Sequence, residues 1–116
     1  MPFGDLERAR IERVVGGFCR SCVPSNQRPR RKVYDQVHGL AVEVMESRAA
    51  ANQHVGSDIP IARLKYDPET WEWSLFWRNV KKWQIYRGFQ PTGSLRLIIK
   101  ILAEDPHSLF WGKRGQ

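Results

Sequence analysis

The chain has 116 residues, is 41% hydrophobic and carries a net charge of +7, which bounds it to one domain with one modest core. No apolar run approaches the roughly 18 residues of a membrane-spanning helix: the longest, Leu97 to Leu102, is interrupted by Lys100. The N-terminus, Met1 to Arg8, lacks the apolar centre of a signal peptide, so a cytoplasmic location, no membrane partner and reduced cysteines are expected.

In chain order, Asp5 suits a helix N-cap, and a helix over about 5–22 follows. Ile11, Val14, Val15, Phe18 and Cys22 form one apolar stripe on it. Gly16 and Gly17 inside this helix each cost up to about 1 kcal/mol relative to alanine, so packing or a close contact must offset them. Pro24 ends the segment, and Ser25 to Arg30 is a linker. Strands are predicted over Lys32–Gln36 and Ala41–Glu46, joined at His38-Gly39 as a hairpin. Arg48 to Ser57 is a loop in which three alanines can add a helical turn. The next strand is Ile59–Tyr66, with Ile61, Arg63 and Lys65 on one face. A turn at Asp67-Pro68-Glu69-Thr70 leads to strand Trp71–Arg78, a turn Asn79–Lys81 and strand Lys82–Arg87. Ser94 is the expected N-cap of a second helix, over about 94–104, with Leu95, Ile98, Ile99 and Leu102 as its stripe. A short tail, 107–116, completes a single domain of residues 1–116. The predicted class is α+β: an antiparallel sheet of about four to five strands within residues 32–87, with both helices packed on one face.

Trp71, Trp73, Leu75 and Trp77 share one face of their strand, and Trp83 is read as joining them under the helices. The opposite face carries Phe76 and Arg78, to which Lys82 and Tyr86 are added as rings among cations, the pattern of single-strand nucleic-acid binders. A second candidate patch is Arg28-Pro29-Arg30-Arg31-Lys32, where Arg28, Arg30, Arg31 and Lys32 can neutralise phosphates. Both patches also read as ordinary solvated surface.

Cys19 and Cys22 have the spacing of half a zinc knuckle, but His38, His54 and His107 are far apart and supply no second pair, so no metal is expected and both cysteines read as core residues. Asp35, Glu43 and Glu46 lie on the first hairpin without the lysine spacing of a restriction-type nuclease site. Glu104 and Asp105 close the second helix, where acids oppose the macrodipole, so a partner is expected, such as an arginine on the sheet. No phosphate loop, nucleophile elbow or metalloprotease motif is present. The reading leans away from an enzyme, with no cofactor, no catalytic residue and no identifiable small-molecule substrate.

The chain resembles a bacterial family described only as a domain of unknown function, family number 3024. Residues carrying the resemblance are Phe18-Cys19, Val23-Pro24, Gly39, Val42, Glu46, Pro60-Ile61-Ala62, Lys65-Tyr66, Trp73-Ser74-Leu75-Phe76-Trp77-Arg78, Trp83, Tyr86, Glu104-Asp105-Pro106 and Phe110-Trp111-Gly112. It runs over nearly the whole chain and implies a real domain, but no activity. The family pattern has Asp-Arg-Asn-like residues after the Trp-Arg pair, where this chain has Asn79-Val80-Lys81-Lys82. The helix–strands–helix order also resembles double-stranded RNA-binding domains. The second helix opens Gly93-Ser94-Leu95-Arg96 rather than with a lysine cluster, which argues against that family. The expected function is a non-enzymatic module that binds an acidic partner such as nucleic acid. The alternative is a protein-interaction or structural subunit, a homo-oligomer formed through an edge strand or the Phe110-Trp111 tail.

Overall fold

A computed structural model describes residues 3–22, 31–48 and 57–111. The linker carrying Arg28 and Arg30, most of the Arg48–Ser57 loop, and the tail from Gly112 lie outside the described residues.

The N-terminal helix runs as α1 (Asp5–Ile11), a π-helical turn (Glu12–Gly16) and α2 (Gly17–Ser21). Gly4, not Asp5, is the N-cap, and no side chain caps it. Asp5 and Glu7 instead occupy the first turn, where the macrodipole favours acids. Ile11, Val15 and Cys19 are buried at i, i+4 and i+8, with Val14, Phe18 and Cys22 packed partly buried beside them. The π turn answers part of the glycine question. Glu12, Gly16 and Arg20 follow one another along the helix, and Glu12 passes over Gly16 to meet Arg20 Nη1 at 2.6 Å. A Cβ on Gly16 would meet that carboxylate at 3.0 Å.

The strands are β1 (Arg31–His38), β2 (Ala41–Arg48), β3 (Ser57–Asp67), β4 (Glu72–Asn79) and β5 (Lys82–Ile85). They form one antiparallel meander in the order β1-β2-β3-β4-β5. Gly39, at φ +58, opens the two-residue turn of the β1–β2 hairpin, a conformation glycine adopts without strain. In β3 the register passes from Val44↔Ala62 to Met45↔Pro60, which leaves Ile61 as an extra, buried residue at a bulge. α3 (Leu95–Glu104) starts as its sequence predicts: Ser94 Oγ accepts the Leu97 N–H at 3.2 Å.

Both helices bury their stripes against one sheet face. Val33, Val42, Val44, Ala62, Leu64, Trp73 and Leu75 supply the sheet side, and Leu95, Ile98 and Leu102 the α3 side. Phe3, before the first helix, joins this core by stacking on Trp73 at 5.5 Å and tilting against Tyr66 at 5.8 Å. Glu46 is the one fully buried charged side chain among the described residues, on this inner face opposite Val33. No described helix is long and apolar enough to cross a membrane.

Trp71 departs from its expected place. It ends the β3–β4 turn at φ 61, its N–H bonds the Asp67 carbonyl at 2.8 Å, and it is 74% exposed. Period-two alternation requires extended backbone, so the parity that placed Trp71 beside Trp73 fails at a left-handed residue.

Candidate functional site

Turn length decides which side chains share the outer sheet face. A turn of Asn79 to Lys81 would pair Trp77 with Trp83 and bury both. The observed turn has two residues, Val80 and Lys81, so Asn79 pairs with Lys82, Arg78 with Trp83, Trp77 with Gln84 and Phe76 with Ile85. A slip of one residue turns a whole strand over. Trp83 and Ile85 therefore stand on the outer face with Phe76 and Arg78, and Trp83 is not a core residue. Lys82 and Tyr86 take the opposite parity, so these two members of the predicted set are corrected to the helix side. Lys82 is exposed there. Tyr86 is buried, stacked on Phe110 at 5.1 Å and beside the His107 ring at 6.0 Å. Its hydroxyl has no hydrogen-bond partner among the described residues. Burial, then the Asp105 charge, pushes that hydroxyl's pKa up.

The outer face over β3, β4 and β5 joins rings and cations. The Arg63 guanidinium lies 5.0 Å from the Trp83 ring centroid and that of Arg78 lies 5.2 Å from it. Arg63 is opposite Phe76 on the neighbouring strand, and Phe76 is opposite Ile85. Phe76 and Trp83 are half-buried yet belong to no part of the core cluster, and Lys65 on the same face is exposed. Arg63 is held from its other side: Nε and Nη2 donate to Glu43 Oε2 at 3.0 and 2.7 Å. Glu43, Arg63, Trp83 and Arg78 thus form one contact chain across four strands. Trp83 was expected in the core instead, whereas Arg63 and Lys65, which share a face in the sequence, reach this one through the β3–β4 register. Arg63's parity was legible in Ile59–Tyr66; Trp83's depended on the turn.

The β1 end of this face differs. Tyr34 donates to Asp58, and that bond pushes the Tyr34 pKa up to about 12 while lowering that of Asp58. His38 Nε2 lies 3.0 Å from Gln36 Oε1 and 4.0 Å from Glu43 Oε1. Of the Arg28–Lys32 cluster, Arg31 opens β1, and Lys32 is exposed with Nζ 5.7 Å from the Tyr34 ring. Four strand spacings of about 4.8 Å separate β1 from β5, roughly 19 Å. Lys32 and the Trp83 cluster therefore mark opposite edges of one face, not one patch.

The remaining candidates are built into the fold. Cys19 is buried, and burial, followed by the Asp35 and Cys22 charges, pushes its thiol pKa up, away from reactive thiolate character. Cys22 is partly buried, and the two cysteines are not joined by a disulfide. No group of three His, Cys, Asp or Glu among the described residues could hold a metal ion. Asp105 has its expected partner, but it is backbone rather than arginine. At φ 42 it caps α3, and its carboxylate accepts N–H bonds from Leu109, Phe110 and Trp111 at 3.0, 3.2 and 2.9 Å. Trp111 Nε1 then donates to the Leu102 carbonyl at 2.8 Å.

No curated protein and no solved structure matches the chain. The family model described as "Domain of unknown function (DUF3024)" matches residues 3–112, and the chain belongs to that family.

Proposed function

We propose that this chain is a non-catalytic, cytoplasmic bacterial module that binds nucleic acid on the outer face of β3, β4 and β5. The observation that carries this reading is the Trp83 ring held between reach of two guanidinium groups, Arg63 at 5.0 Å and Arg78 at 5.2 Å, outside the core. Burying a large ring contributes about 1.5–3 kcal/mol, a gain that Phe76 and Trp83 forgo in part by standing half-buried outside the core. Rings set among cations on a sheet match the two recurring needs of a nucleic-acid surface, stacking and phosphate neutralisation. The net charge of +7 agrees with an acidic partner.

The test is binding of fluorescent single- and double-stranded oligonucleotides at about 50 and 200 mM salt, where several phosphate contacts predict a steep loss of affinity. Binding that weakens with salt and is lost in Arg78→Glu supports the reading; no detectable binding at low salt to any oligonucleotide overturns it.

A second reading, a homodimer, draws on one observation: β1 pairs with β2 alone among the described strands, leaving an eight-residue edge. The Phe110-Trp111 route to a dimer loses support, because Phe110 is buried within the chain's own core. Sedimentation over a hundredfold concentration range decides it: a concentration-independent monomer rules out the dimer.

A further inference from the structure

Resting on the nucleic-acid reading above, we infer that the ligand is single-stranded and is held by stacking on Phe76 and Trp83, with phosphates at Arg78 and Lys65. Three observations carry this. The first is shape. The rings lie on a five-stranded sheet about 19 Å across, wider than the roughly 12 Å major groove that admits a helix or a two-stranded ribbon. A paired duplex could not present base faces to rings that lie on such a surface, whereas unpaired bases can be splayed onto it.

The second is the division of labour among the cations. Arg63 donates Nε and Nη2 to one oxygen of Glu43, so its charge is met within the protein. Its remaining role is to fix Trp83, over whose ring it lies. Arg78 contacts the same ring and stays partly exposed, and Lys65 is exposed. These two remain for phosphate oxygens.

The third is order. The Glu43–Arg63–Trp83–Arg78 chain holds the indole in place before any ligand arrives, which lowers the entropy lost on binding. Phe76 sits beside it, flanked by Arg63 on one neighbouring strand and Ile85 on the other, and Ile85 is 56% exposed. Two rings on adjacent strands of one face provide stacking positions for about two bases, the number that sheet-borne aromatics commonly take.

The experiment measures anisotropy with a fluorescent 15-nucleotide single-stranded DNA and the matching duplex, across a salt series, for the full chain and its variants. The single strand should bind at least tenfold more tightly than the duplex. Phe76→Leu, which keeps apolar bulk but removes the stacking ring, should weaken single-strand binding by about 5- to 150-fold, with the slope of log affinity against log salt unchanged. Lys65→Ala should reduce that slope by about 0.7. If Phe76→Leu does not fold, judged by circular dichroism, Trp83→Leu replaces it with the same expectation. Equal or tighter duplex binding, or single-strand affinity unmoved by the loss of a ring, overturns this inference and leaves nucleic-acid binding standing. Failure of both oligonucleotides to bind at low salt overturns the underlying reading as well.

Discussion

Val80 stands at φ 59 in the β4–β5 turn and is 86% exposed. A β-branched residue in the left-handed region carries strain of about 1–2 kcal/mol and here recovers nothing through burial. Val80→Asn should therefore stabilise the protein by about 1 kcal/mol, read as a higher urea midpoint with an unchanged slope. A lower midpoint would mean that the valine makes a contact the turn needs. The tryptophans give the opposite contrast. Trp73 is 1% exposed and stacked on Phe3, so Trp73→Ala should cost about 3–5 kcal/mol. Trp83→Ala leaves no cavity in the core and should cost less than half as much. Equal losses in thermal melts would show that Trp83 is a core residue after all. Sequence alternation placed Trp73 correctly. It could not place Trp83, because parity is transmitted across a turn only once the number of turn residues is known.

At the scale of elements, the end of α3 shows how a local mismatch resolves. Two acids close a helix whose last carbonyls disfavour them, which signals a partner without naming it. The partner is the chain's own tail, folded back so that three consecutive N–H groups meet the Asp105 carboxylate. Phe110 is thereby delivered onto Tyr86, and Trp111 to within 6.4 Å of Phe18. Asp105→Ala removes the shared acceptor and the residue's tolerance for left-handed backbone, and should cost about 2–3 kcal/mol. Hydrogen exchange should show the amides of Leu109 to Trp111 losing protection before those of the sheet; unchanged protection would assign the tail's order to Phe110 packing alone. The arginine expected from sequence was a sensible charge partner. Spacing could not show that backbone donors only four to six residues on were closer to hand.

For the whole molecule, the helix layer meets the sheet across a charged seam as well as an apolar one. Asp35 points inward from β1, and its pKa is raised, first by burial and then by the Glu12 charge, with Arg20 opposing. A carboxyl whose pKa is higher folded than unfolded favours the folded state while protonated. That contribution is complete below the unfolded pKa and is lost as pH rises through the folded one. Asp35→Asn should therefore raise the melting temperature at pH 7, and the gain should shrink on acidification toward pH 3. A variant less stable at pH 7 would show that the carboxylate's backbone hydrogen bond and the Arg20 attraction together outweigh desolvation. This seam and the burial of Glu46 on the inner face depend on β1 and β2 meeting a helix that precedes them in the chain.

Local physics is enough to determine much of this protein from sequence. Stripes at helical spacing, alternation at strand spacing, a serine cap and turn residues specify two helices, an antiparallel sheet and one shared core, because each signal spans few residues. Tertiary structure alone decided which rings meet which cations. Arg63 reaches Trp83 only because β4 lies between their strands, and Trp83 faces outward only because Val80 and Lys81 close the turn in two residues. Face assignment across a hairpin changes with a single residue of loop, and cross-strand contact depends on sheet order.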